Sequence, residues 1–167
     1  STLFPYTTLF RSWQADIVRE YKREDQFITQ NFDFEWRNYS FGVQPDVDHF
    51  RASKCLDIAG CDIYHPTQSK LTGKEIAFGG DMTRSLKQDN YYVLETEAQG
   101  FAQWVPYDGQ LRLQAFSHLA GGADCVEYWH WHSIHNSFET YWRGLLSHDF
   151  AENKTYKEAV VDRKSTR

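Results

Sequence analysis

A chain of 167 residues that is 41% hydrophobic and 17% aromatic holds enough material for about one packed domain. Its 25% charged residues form no low-complexity tract, and its net charge of −5 excludes a nucleic-acid-binding surface built on clustered Lys and Arg. No apolar run approaches the ~18 residues that suggest a membrane span.

The two ends read differently from the middle. Residues 1–12, beginning Ser1-Thr2-Leu3-Phe4-Pro5, carry no basic segment followed by an apolar one. They resemble one reading frame of a sequencing adapter, and residues 162–167 resemble the partner adapter. The segment expected to fold is therefore 13–161.

Within it, Ile17, Val18 and Tyr21 are spaced as on a helix over Gln14–Tyr21. Gln26–Phe32 reads as a strand, followed by a polar, aromatic loop through Pro45. Val47–Leu56 reads as a helix with Asp46 as its cap. The short apolar run Ile58–Tyr64, ending at His65-Pro66, suits a buried strand. Thr72, with Glu75 three residues on, opens a helix to about Lys87, weakened by Gly79-Gly80. Asn90–Glu95 is the next strand. Gly109–Leu119 is an amphipathic helix that stops at Gly121-Gly122. Cys125–Trp131 is the fourth strand, and Phe138–Leu146 and Asn153–Val161 read as helices. Strands about thirty residues apart, alternating with helices, imply parallel pairing through helical crossovers. Half of a doubly wound sheet and half of a barrel both fit. No Gly-rich phosphate loop follows any strand, which weakens a nucleotide-binding reading.

Polar and aromatic side chains gather at the C-terminal strand ends, the face that carries the chemistry of barrel enzymes. Glu95 closes an apolar strand, where a carboxylate is costly to desolvate unless it is paired or used. Glu97 has the same strand parity and is the competing acid, ranked second because it lies further into the loop. Glu20, Glu24 and Glu35 lie on a helix or loop and are expected to be solvated. His130, His132 and His135, with Glu139 nearby, form the one histidine cluster; its Zn²⁺-binding reading is weaker than one of hydrogen bonds to sugar hydroxyls. Cys55, Cys61 and Cys125 lack metal-ligand spacing and are odd in number, so they read as reduced small hydrophobes of a cytoplasmic protein.

The run Val93-Leu94-Glu95-Thr96-Glu97-Ala98-Gln99-Gly100-Phe101-Ala102-Gln103-Trp104-Val105-Pro106 resembles the seventh-strand region of glycoside hydrolase family 42 β-galactosidases. Asp62-Ile63-Tyr64-His65-Pro66 is similar to the sixth-strand motif, and Thr29-Gln30-Asn31-Phe32 to the end of the fifth strand. Tyr128-Trp129-His130-Trp131-His132 resembles the eighth strand. Phe138-Glu139-Thr140-Tyr141-Trp142 resembles a sugar-binding segment in which many members carry His where this chain has Trp142.

The resemblance implies an α/β fold, the C-terminal half (about strands 5–8) of a (β/α)8 TIM barrel. It implies a retaining hydrolase of terminal β-galactosides that needs no cofactor and no metal. Glu95 would be the nucleophile, with Trp104, Tyr64, Glu139, Trp131 and Asn31 around the sugar. The acid/base Glu of the family falls before Trp13, so no residue of this chain takes that role, and the chain by itself is expected to be inactive. Partners other than the galactoside are not expected, neither nucleic acid nor membrane, and a homo-oligomeric parent stays open. Two other readings stand beside this one: another retaining barrel glycosidase of β-glucosidase type, and a non-catalytic sugar-binding α/β domain.

Overall fold

A computed structural model describes residues 4–34, 47–99, 105–140 and 142–165. Four strands, β1 (Asn31–Asp33), β2 (Gly60–Asp62), β3 (Tyr91–Glu97) and β4 (Ala123–Trp129), form one sheet in the order β1-β2-β3-β4. All three pairings are parallel. Helix α1 (Phe4–Tyr21) precedes the sheet. The crossovers carry α2 (His49–Ala52), α3 (Lys74–Lys87) and α4 (Gln110–Ala120), and α5 (Lys154–Ser165) follows β4. Parallel strands laid down in chain order, each through a right-handed crossover, put every helix on the same face of the sheet. The helices accordingly pack side by side, α1 on α2, α3 on α4 and α4 on α5. A doubly wound sheet reverses its strand order to cover both faces; this sheet does not reverse, which is the arrangement of a barrel wall.

The helix-side core follows from the register. Phe32, Cys61 and Val93 are aligned on successive strands and are all buried, with Tyr91, Ile63, Ile76 and Ala59 around them. Full burial of a side chain such as Val93 contributes about 1.5–3 kcal/mol. Gly79 and Gly80 do not interrupt α3. A Cβ on Gly79 would come 2.8 Å from the Ile63 side chain, and one on Gly80 would meet the Tyr91 hydroxyl. The pair therefore lets α3 lie close on β2 and β3, a contact that outweighs their poor helix propensity.

Several expected boundaries move. Residues 26–30 lie outside the ladder; the Ile28 amide donates to Asp57 Oδ2 at 2.8 Å, and its carbonyl accepts from the Asp57 amide at 2.8 Å. The second helix is capped by Asp48, whose side chain accepts from the Arg51 amide at 3.0 Å, and tightens after one turn into a 3₁₀ segment, Ser53–Cys55. Asp46 and most of the loop before it lie outside the described residues. Helix α3 starts after Gly73, in the left-handed conformation at φ 73°, so Thr72 is not its cap; its hydroxyl instead lies 3.5 Å from Glu75 Oε2. Helix α1 begins at Phe4, ahead of the Gln14 start expected from spacing.

The helix expected over Phe138–Leu146 is not there. Leu145 and Leu146 amides donate to the His130 and Trp131 carbonyls at 2.7 and 2.8 Å, and Ser133 and Ile134 amides return bonds to Leu146 and Trp142. Once those groups pair across the loop, no i to i−4 ladder remains for them. Gly144 makes the approach possible, since a Cβ there would sit 2.5–2.6 Å from backbone atoms of His130 and His132.

Candidate active site

The face of the sheet opposite the helices carries acids at its C-terminal edge. Asp33 and Asp62 are paired across β1 and β2, and Asp62 is paired with Glu95 across β2 and β3. Simple alternation from Val93 would have turned Glu95 under the helix layer. Instead Cys61 pairs with Val93 while the next residue, Asp62, pairs with Glu95, so β3 holds one extra residue at this point. Such a bulge re-aims the side chain that follows it. It brings Glu95 to Asp62.

Asp62 and Tyr64 are the hydrogen-bonding neighbours of the Glu95 carboxylate. Asn31 Nδ2 donates to Asp62 Oδ2 at 2.8 Å, and Asn31 Oδ1 accepts from Gln30 Nε2 at 3.0 Å. Burial pushes the Asp62 carboxyl up to about 8, helped by the Glu95 charge and opposed by the Asn31 hydrogen bond. Burial raises Glu95 too; the hydrogen bonds from Asp62 and Tyr64 oppose this, and the charges of Glu139 and Asp33 add to it. Burial, with the surrounding carboxylates, drives the Tyr64 hydroxyl upward, so it remains a proton donor. Tyr64 is buried and stacks on Trp142, ring centroids 5.8 Å apart and planes within 14°.

Glu97 is in a different environment. It is 4% exposed and salt-bridged to His65, with Oε1 3.2 Å from Nδ1. The His65 amide also donates to Oε1 at 3.2 Å, and the Thr96 hydroxyl lies 3.4 Å from Oε2. Burial raises the Glu97 carboxyl, opposed first by His65.

The structure thus brings Asn31, Tyr64, Glu95 and, through its charge, Glu139 to one place. Trp131 follows the end of β4, 58% exposed, with its ring edge-on to that of Tyr156 at 5.9 Å. Trp104 lies outside the described residues. Sequence reading gave no role to Asp62, Asp33 or Trp142. Asp62 carried a usable signal, an acid two residues before Tyr64 at the end of an apolar run. His132 and His135 are ring neighbours at 5.7 Å, but His132 Nδ1 contacts the Ser133 carbonyl and His135 Nε2 the His148 carbonyl. Among the described residues no group of three His, Cys, Asp or Glu is placed to hold a metal. Cys55, Cys61 and Cys125 are free thiols, and burial pushes Cys61 up to about 12. No helix among the described residues is long and apolar enough to cross a membrane.

A parallel sheet in chain order, helices on one face and carboxylates at the C-terminal strand ends define a barrel-type α/β protein with an acidic site. The family model for glycoside hydrolase 42 β-galactosidases matches residues 6–165, and the chain belongs to that family. It is 29% identical over 170 residues to β-galactosidase BgaA of a Thermus species, and 27% identical over 172 residues to β-galactosidase BgaH of Haloferax lucentense. Each match covers 90% of this chain, and the chain spans about a quarter of the length of these curated relatives (25% and 26%). The fold is similar to that of a catalytic mutant of a family 42 β-galactosidase from G. stearothermophilus, with TM-score 0.85 at 20% identity, over 98% of this chain and 25% of that one. It is also similar to the β-galactosidase of the haloarchaeon Halorubrum lacusprofundi, with TM-score 0.80 at 22% identity, over 96% and 25%.

Proposed function

We propose that this chain is the C-terminal half, about strands five to eight, of a (β/α)8 catalytic barrel, and that the complete protein hydrolyses terminal β-galactosides with retention. One observation carries the choice of nucleophile. Glu95 lies in the acidic row on the helix-free face, oriented by Asp62 and Tyr64, whereas Glu97 is buried and occupied by His65.

Glu95 attacks the anomeric carbon; its carboxylate oxygen bonds to that carbon as the bond to the leaving oxygen breaks. A second carboxyl group, on an earlier strand of the complete barrel, protonates the leaving oxygen. It then deprotonates the water that releases galactose from the glycosyl-enzyme. Tyr64 holds the Glu95 carboxylate in line and donates to whichever oxygen is not attacking. Glu139 accepts from sugar hydroxyls, Trp104 offers a flat face to the pyranose, and Trp131 and Asn31 complete the surroundings. The reaction uses no cofactor and no metal.

The test is covalent trapping. The complete protein carrying this segment is incubated with an activated 2-deoxy-2-fluoro-galactoside, digested, and its peptides mapped by mass spectrometry. Label is expected on Glu95. Label on Glu97, or no label with rapid hydrolysis of nitrophenyl glucoside but not galactoside, overturns the nucleophile or the substrate class respectively.

A further inference from the structure

We propose that Asp62 is a positioning residue for Glu95, serving as a neutral carboxylic acid whose proton is donated to the Glu95 carboxylate. The inference rests on the reading of Glu95 as nucleophile and adds a residue and a proton to it.

Three observations on geometry carry it. First, the bulge places Asp62 directly opposite Glu95, so the two carboxyl groups meet on one face of the sheet. Second, the two oxygens of Asp62 differ. Oδ2 accepts from Asn31 Nδ2 at 2.8 Å, while Oδ1 is buried and has no conventional hydrogen-bond donor among the described residues. The other hydrogen-bonding neighbour of the Asp62 carboxyl group is the Glu95 carboxylate, itself an acceptor. Two carboxylate oxygens cannot satisfy each other without a proton between them. Third, the groups that face the pair among the described residues are acids or neutral donors: Asp33 from β1, Tyr64 after β2, and Glu139 beyond β4. Glu75 of α3 lines the same small cavity as Asp62 and Tyr64. With like charges crowded in this way, one of two adjacent carboxyl groups holds its proton.

Which of the two keeps it follows from their partners. Glu95 receives a second donor, the Tyr64 hydroxyl, which favours its ionised form. Asp62 is the group raised to about 8. At neutral pH the pair then carries one proton and one negative charge, with the charge on Glu95. In this state Asp62 is the electronic counterpart of an asparagine: one oxygen accepts from Asn31, and the other end donates to Glu95.

That equivalence sets the experiment. In the complete protein, kcat/KM is followed from pH 5.5 to 9.5 with dinitrophenyl β-galactoside, whose leaving group needs no protonation, so the acid/base residue does not shape the profile. For the unsubstituted protein kcat/KM is expected to fall as pH rises through about 8, when Asp62 loses its proton and Glu95 its donor. Asp62→Asn keeps a donor that cannot titrate; the alkaline fall should disappear. Asp62→Ala removes the donor and should lie about 10- to 100-fold below Asp62→Asn at neutral pH, the effect of losing a hydrogen bond to a charged group. An alkaline fall that persists in Asp62→Asn, or equal activity of the Asn and Ala variants, overturns the proposal. Should Asp62→Ala fail to fold, the profile of Asp62→Asn decides alone. Fluoro-galactoside trapping of the unsubstituted protein separates the two readings. Label on Glu95 with a failed Asp62→Asn result overturns only the role of Asp62, whereas label elsewhere overturns both.

Discussion

Asp62 pairs with Glu95 across β2 and β3 even though the residue before it, Cys61, pairs with Val93, two positions back on β3. The extra residue moves Glu95 out of the helix-facing set of Tyr91 and Val93 and into the row of Asp33 and Asp62. Without it, a carboxylate would be directed into a core of buried apolar side chains, where the desolvation cost runs to several kcal/mol.

Tyr64 is the second donor to Glu95, so Tyr64→Phe should lower kcat/KM of the complete protein on nitrophenyl galactoside by about 10-fold or more. The stack on Trp142 needs only the ring, so thermal stability should change little. A kinetic effect below twofold, measured beside an unchanged melting curve, would remove Tyr64 from the site.

His65 and Glu97 are a buried pair, with side chains 0% and 5% exposed. Replacing His65 by Ala leaves Glu97 buried without the ring that faces its Oε1. The expected loss is about 1–3 kcal/mol of stability in urea unfolding, the cost of leaving a buried polar group short of a partner. Trapping by the fluoro-galactoside should still fall on Glu95 in whatever fraction stays folded.

Asp62, Glu95 and Glu97 all have folded-state pKa values raised above those of the unfolded chain. A group raised in this sense holds protons more tightly when folded. Its stabilising effect is complete below the unfolded value and is lost as pH rises through the folded one. For Asp62 that window runs from about 3.8 to about 8. The melting temperature should therefore decline from pH 5 toward pH 9, and Asp62→Asn should flatten that decline.

His118 has the opposite sign. It is fully buried on α4, and burial, with a smaller effect of His65, pushes it down to about 3. Its contribution is complete above the unfolded value of 6.5 and is lost as pH falls toward 3. Neither ring nitrogen has a hydrogen-bond partner among the described residues. His118→Leu should thus stabilise the protein, by about 1–3 kcal/mol at pH 5 and by less at pH 8, measured by denaturant unfolding.

Gly144 lies against the backbone of His130 and His132, with no flexible side chain to yield. Gly144→Ala should cost about 1–3 kcal/mol and loosen the 130–146 loop, seen as faster amide exchange at Leu145 and Leu146.

The sequence by itself determined the alternation of strands and helices, and hence parallel pairing, because hydrophobic periodicity and crossover length are local properties. It also placed Glu95 on an apolar strand, although β3 runs two residues further than expected and holds Glu97 as well, and the resemblance of Val93–Pro106 to family 42 linked Glu95 to a chemistry. Only the tertiary structure decided which way Glu95 points, since a bulge exists only relative to the neighbouring strand. The same holds for Glu97. Its parity matches that of Glu95, yet its surroundings depend on His65, thirty-two residues away in sequence. Segment 138–146 has helical spacing, but its Leu145 and Leu146 amides meet the carbonyls of His130 and Trp131 and its carbonyls meet the amides of Ser133 and Ile134, so long-range backbone pairing overrides local propensity. Asp62 shows the limit most directly. Whether a carboxyl group holds its proton depends on burial and on the charges facing it, and in this chain those come from β1, β3 and the loops around them.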